Sequence, residues 1–212
     1  MERKKSLVLW TAATALLVFC AVAIYQAKCE AIPIEMHTGG FLSIGKASAP
    51  VEIVLIEDFR CRNCCAFSEK ILPKIQAEYV KSGKARFTLV PVSFLSGSQA
   101  VANAALEVYQ NHPDRFFPYL KEILNQAQEG EVRSPELIRL ARRIGGIDLA
   151  RLHTAIEKGS HNKELEKNLE WAQTLMGARF KTPAIYINGV SSYTFTYQGV
   201  SEQIDRILGQ KP

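Results

Sequence analysis

Only five cysteines and four histidines occur in 212 residues. His37, His112, His153 and His161 are scattered without ligand spacing, and Cys20 and Cys29 lie in or beside an N-terminal apolar run. A zinc site normally asks for a second pair of Cys or His ligands at compatible spacing, so no metal is predicted. Charge of one sign is also scarce. The net charge is +5, residues 1–31 carry +2 of it, and the remaining +3 is spread over basic residues interleaved among acidic ones. No basic stripe with interleaved aromatics exists, which argues against nucleic acid as a partner. The apolar stripes of the middle of the chain are explained by core packing and contain no cofactor box. The length and the 47% hydrophobic content suit one domain, or one domain carrying an insertion, with a substantial core.

What is present is concentrated in Asp58-Phe59-Arg60-Cys61-Arg62-Asn63-Cys64-Cys65. An apolar strand pattern, Val51 to Ile56, runs into this stretch, and a helical pattern through Phe67, Ile71 and Ile75 runs out of it. A C-x-x-C at a strand-to-helix junction is a redox device. Its first thiol sits where the orphan N–H groups and positive dipole end of the helix stabilise a thiolate, and its second lies one turn along, within reach of a disulfide. The pattern predicts a thiol–disulfide oxidoreductase dithiol. A structural disulfide, or a small metal or cluster site at Cys61, Cys64 and Cys65, is the competing reading.

The rest of the chain supplies the frame. Met1 to Lys5 is a basic head followed by an apolar run, Leu7 to Tyr25, so residues 1–31 read as a secretory signal peptide or a membrane anchor. The remainder is then expected outside the cytoplasmic membrane, where disulfides persist. Phe41 to Ile44 suits an edge strand. The helix after the cysteines should run to about Lys81, kinked by Pro73 and capped by Gly83. Ala85 to Phe94 reads as a second strand, interrupted at Pro91, and strand–helix–strand predicts a parallel pair. Residues 98–176 change to helical period throughout, with Ser134-Pro135 as a cap and first-turn proline and Gly145-Gly146 as a stop. Sheet character returns at Lys181 to Ile187. Asn188-Gly189 signals a two-residue hairpin, Tyr193 to Tyr197 suits the returning strand, and Ser201 to Leu208 a closing helix.

Together, Ala49-Pro50-Val51, Asp58-Phe59-Arg60-Cys61 and Thr182-Pro183-Ala184-Ile185-Tyr186-Ile187-Asn188-Gly189 resemble the DsbA-like branch of the thioredoxin superfamily, over about residues 45 to 208. The resemblance implies an α/β thioredoxin-like fold, a central mixed sheet flanked by helices. Its two parts, 32–97 and 177–212, would be separated by an inserted all-helical subdomain, 98–176. It implies Cys61 as the exposed nucleophile, Cys64 as the resolving thiol, a cis Pro183 facing them, and substrate contact at Thr182 and Pro183. Arg62 and Asn63 stand where the best-known oxidants have Pro-His, and would tune the dithiol. The partners implied are unfolded or cysteine-containing secreted proteins and a membrane or periplasmic redox partner that recycles the dithiol.

Two departures bear on direction. Family members commonly carry a buried acid six residues before the first cysteine, and Leu55 occupies that place, with Glu57 and Asp58 nearby. Loss of that charge would favour the thiolate and an oxidising dithiol. Cys65 is an additional thiol on roughly the same side as Cys61. It is expected to be a small buried filler, with an alternative disulfide partner as the other reading. A disulfide reductase or isomerase of the same fold, and a non-catalytic thioredoxin-like chaperone or binding module, remain alternatives to the oxidising enzyme.

Overall fold

The structure, a computed structural model, describes residues 16–19, 32–129 and 132–209. The predicted leader, residues 1–31, lies outside the described residues apart from an exposed helical turn at 16–19. Among the described residues no helix is long and apolar enough to cross a membrane.

Five strands form a mixed sheet: β1 (Leu42–Ile44), β2 (Val51–Glu57), β3 (Ala85–Pro91), β4 (Ala184–Ile187) and β5 (Val190–Ser191), in the order β1-β3-β2-β4-β5. β2 and β3 are parallel, as the βαβ pattern predicts, while β1 on β3, β4 on β2 and β5 on β4 are antiparallel. β2 is central because it is apolar on both faces. Ile53 and Leu55 join the larger core with Phe87, Leu89, Ile185 and Phe67, whereas Val54 and Ile56 face a second cluster with Val90, Tyr186 and Met176. Period-two side chains thus feed two layers from one strand.

Helix α1 (Arg62–Lys70) follows β2 and ends sooner than the sequence pattern suggests. Pro73 has no N–H to continue the ladder. The chain breaks at Ile71 (φ −111°), restarts as α2 (Leu72–Ile75), and widens into a π turn, Gln76–Val80, closed by Lys81 N donating to Gln76 O at 2.9 Å. Strand β3 does not resume after the expected interruption. It stops at Pro91, and the amides of Phe94 and Leu95 leave the ladder to donate to the Asp58 carboxylate, both at 3.1 Å.

Five helices then occupy the middle of the chain: α3 (Ser98–Asn111), α4 (Pro113–Glu129), α5 (Ser134–Ile144), α6 (Leu149–Lys158) and α7 (Asn162–Met176). Ser134 is the first helical residue of α5 rather than its cap, which falls on Arg133, a one-residue difference of the usual kind at helix ends. Buried polar ties join these helices to one another and to the sheet. Tyr119 donates to Leu137 O at 3.0 Å, and Asn168 donates to Pro91 O at 2.9 Å. Asn188-Gly189 makes the predicted tight turn, with φ of 47° and 77° at its two residues. The returning strand, however, is Val190–Ser191, not Tyr193 to Tyr197. Instead Thr196 caps the closing helix α8 (Tyr197–Gly209): its Oγ1 accepts from Gly199 N at 3.2 Å and its carbonyl from Val200 N at 3.1 Å.

The principal charged group within the helical layer is Glu107, 5% exposed. It accepts from Arg151 Nε and Asn111 Nδ2 and pairs with His161 Nε2, at 3.0, 2.9 and 3.0 Å. Burial opposes its charge, but these partners outweigh burial and hold its carboxyl below the usual range. His161 is raised, first by Glu164 at 3.6 Å and then, against burial, by Glu107. Glu107 is nearer but already shares its charge with Arg151. A raised histidine contributes stability in full below its unfolded value of about 6.5, and loses it as pH climbs through the higher folded value. His161→Ala is therefore expected to cost about 1–3 kcal/mol at pH 6, with a smaller deficit at pH 9. Thermal melts of both proteins at the two pH values check this.

Candidate active site

Sequence places the dithiol where β2 hands the chain to α1, and the structure explains the geometry of that junction. Asp58 is wholly buried. Its carboxylate accepts from Arg60 N at 2.9 Å as well as from Phe94 and Leu95, and its carbonyl accepts from Cys61 N at 2.9 Å. The Arg60 guanidinium donates to Ser96 O, fixing the same two loops a second time. Cys61 thereby becomes the extended cap residue of α1 (φ −73°, ψ 116°), its carbonyl accepting from Cys65 N at 3.0 Å. No acidic side chain occupies the first turn, so the helix's positive end is not offset locally.

The three thiols differ sharply in surroundings. Cys61 is half-buried, and its Sγ lies 3.5 Å from the carbonyl oxygen of Thr182. Cys64 is fully buried one turn on. Burial first, then the Glu57 charge and the contact with Cys61, drives its thiol far above the ordinary range. Cys65 is also buried and turns away, donating to Phe59 O at 3.4 Å. Burial and then Glu57 push it up to about 12. It lines a cavity of about 420 Å³ with Arg60, Arg62 and Ala127 of α4. No disulfide joins Cys61, Cys64 or Cys65 in this structure.

The Thr182–Pro183 peptide bond is cis, and Pro183 is buried where β4 begins. The segment meets the dithiol through the Thr182 backbone oxygen. Arg62 and Asn63 are both exposed on the first turn. On the far side of the helix from Arg62's cavity, Asn63 borders a groove of about 480 Å³ shared by α1, the Thr182–Pro183 segment and Phe195. Among the described residues no three His, Cys, Asp or Glu side chains are grouped to hold a metal ion.

Glu57 corrects the sequence reading. Leu55 does leave the customary position without an acid, but a buried acid is present all the same. Glu57 lies two residues on, and period two returns it to the face of Leu55. It is fully buried, accepts from Ser68 Oγ of α1 at 2.7 Å, and has an Oε1 with no partner among the described residues. Burial pushes it up to about 8, against the Ser68 bond and with a further push from Asp58. The buried acid expected to be missing is thus supplied from a different rung of the same strand, and it keeps its proton until pH approaches about 8. The signal was available in the alternation of β2, which fixes the face of every second residue.

A family model described as Thioredoxin matches residues 37–206. The chain is 30% identical over 173 residues to Disulfide bond formation protein D of Bacillus subtilis, covering 79% of this chain and 77% of the relative. The crystal structure of oxidised BdbD from Bacillus subtilis superposes with a TM-score of 0.75 at 29% identity, over 84% of this chain and 98% of that one. Chlamydia trachomatis DsbA superposes with a TM-score of 0.72 at 26% identity, over 84% and 99%. With its mixed sheet, its helical layer and its dithiol at a strand-to-helix junction, the chain belongs to the thioredoxin family, in the branch of DsbA-like, disulfide-forming thiol–disulfide oxidoreductases.

Proposed function

We propose that the chain oxidises cysteine-containing proteins outside the cytoplasmic membrane, with Cys61 as the exchanging sulfur and Cys64 as its resolving partner. The asymmetry of the pair carries the reading: Cys61 is open to a partner at the helix cap, and Cys64 is sealed one turn behind it. In the oxidised protein a substrate thiolate attacks Cys61 Sγ. The Cys61–Cys64 bond breaks, and Cys64 leaves with the electron pair and takes up a proton. A second substrate thiolate then attacks the substrate sulfur of the mixed disulfide and expels Cys61 as thiolate. Two electrons have passed to the protein, and a redox partner that accepts them restores the disulfide. Residues 1–31 supply export or anchorage.

Thr182 and Pro183 bound the approach. Pro183 offers no N–H of its own, and an extended substrate segment can lie against the backbone that precedes it. Arg62 and Asn63 flank the attacking path, Arg62 adding positive charge beside Cys61. The test is equilibration of the protein with glutathione buffers. A reduction potential above that of thioredoxin, about −270 mV, is the expected result. A potential at or below it would make the protein a reductase. An intact dithiol with no insulin-reducing activity would support a binding module instead.

A further inference from the structure

We propose that the groove beside Asn63 selects substrates by charge, taking extended segments in which the cysteine is accompanied by an apolar side chain and an acidic residue. The proposal rests on the oxidoreductase reading and concerns which polypeptides reach Cys61. The groove has an apolar floor formed by Phe67 of α1, Ile71 just beyond its end, Pro183, and Phe195 ahead of α8. Its two rims are cationic, Lys70 from the helix and Lys181 from the segment before Pro183, and both side chains are exposed. No acidic side chain lines it.

The rims come from opposite sides of the site. Lys70 belongs to the last turn of α1, and Lys181 directly precedes the residue whose carbonyl lies 3.5 Å from Cys61 Sγ. A segment reaching Cys61 along this groove therefore places its neighbouring residues between two ammonium groups over an apolar surface. Acidic neighbours gain from both, and basic ones are repelled by both. Such exposed charges act mainly on the encounter and are screened by salt. Two exposed pairs at the usual strength amount to roughly a three- to twenty-fold preference.

The experiment compares two cysteine peptides that differ only in carrying Glu or Lys two residues from a leucine-flanked cysteine. Oxidation by the full chain is followed at low and high ionic strength, with dithiothreitol as an uncharged control dithiol. The Glu peptide is expected to react roughly five- to ten-fold faster at low salt, and the difference should collapse at about 0.5 M salt. Lys70→Glu with Lys181→Glu should reverse the order of the two peptides, an outcome that loss of folding cannot produce. Equal rates for both peptides at low salt, with dithiothreitol oxidised normally, would overturn the groove assignment and leave the oxidoreductase reading intact. Failure to oxidise dithiothreitol would instead overturn the oxidoreductase reading and the selectivity that depends on it. Binding of the corresponding Cys→Ser peptides, measured by fluorescence anisotropy, reads the charge preference without the chemistry. Equal affinities there would count against the groove in the same way.

Discussion

Cys61→Ser is expected to lower disulfide exchange to background, a loss of roughly 10³-fold or more, while Cys64→Ser keeps the first attack and stalls after it. The difference follows from access. Cys61 stands at the helix cap with its Sγ toward Thr182, so a partner can reach it. Cys64 has no exposed surface and can only meet a sulfur already joined to Cys61. Without Cys64 the Cys61 thiolate still opens a substrate disulfide, but nothing inside the protein closes the mixed disulfide. Cys65 is held away by its bond to Phe59 O and by burial that keeps it a thiol at neutral pH, so it should not take over. Non-reducing gels and mass spectra of Cys64→Ser mixed with a disulfide-bearing protein should show one-to-one adducts that persist. Inactivity of both variants with no adduct would assign attack to another sulfur. Rapid resolution in Cys64→Ser, lost again in Cys64→Ser with Cys65→Ala, would bring Cys65 into the mechanism.

The second large effect is expected from Glu57→Gln. Burial raises the carboxyl of Glu57 from 4.5 to about 8, so the folded protein holds a proton that the unfolded chain has released. Stability from this group is fully present below about pH 4.5 and is lost as pH rises through about 8. The linked change is on the order of 5 kcal/mol. Glutamine keeps the shape and can still accept from Ser68 Oγ, but it has no proton to lose. Thermal melts should therefore show the variant gaining several kcal/mol over the native chain between pH 5 and 9, with near equality at pH 4.5. A redox readout accompanies it. Ionised Glu57 opposes a negative sulfur at Cys64, so exchange by the native protein should weaken above pH 8 relative to the variant. Parallel stability and rate profiles for the two proteins would mean that the carboxyl is not buried against the dithiol.

Features that depend on neighbours in sequence were legible before the fold was known. β2 announced itself by an unbroken apolar run, the dithiol by its spacing after that run, and the hairpin by Asn188-Gly189, whose two residues take the positive φ values that such a turn demands. What failed depended on competition. Tyr193 to Tyr197 alternates like a strand, yet the chain left the sheet after Ser191, and the Thr196 hydroxyl served a helix N-terminus instead. Phe94 looked like the end of β3, but a buried carboxylate 36 residues earlier claimed its amide. The acid at Glu57 was visible, and its role was not, because the family pattern directed attention to Leu55. Strand phase placed the two on one face, but only the packing of Ser68 against that face showed that the acid was buried beside the thiols.

The Asp58 junction bears on how far the helical layer and the thiols are separable. One carboxylate gathers amides from the turn before Cys61 and from the loop that opens into α3, and Arg60 crosses the same gap to Ser96. The point at which 98–176 departs from the sheet is therefore also a hinge pin for the cap of α1. A helical layer grafted from another scaffold, or cut away at residue 97, would free the far end of the loop that carries both amide donors to Asp58 and loosen the turn that aims Cys61. In this chain the accessory helices and the reactive sulfur are a single mechanical unit, and they can be exchanged only together.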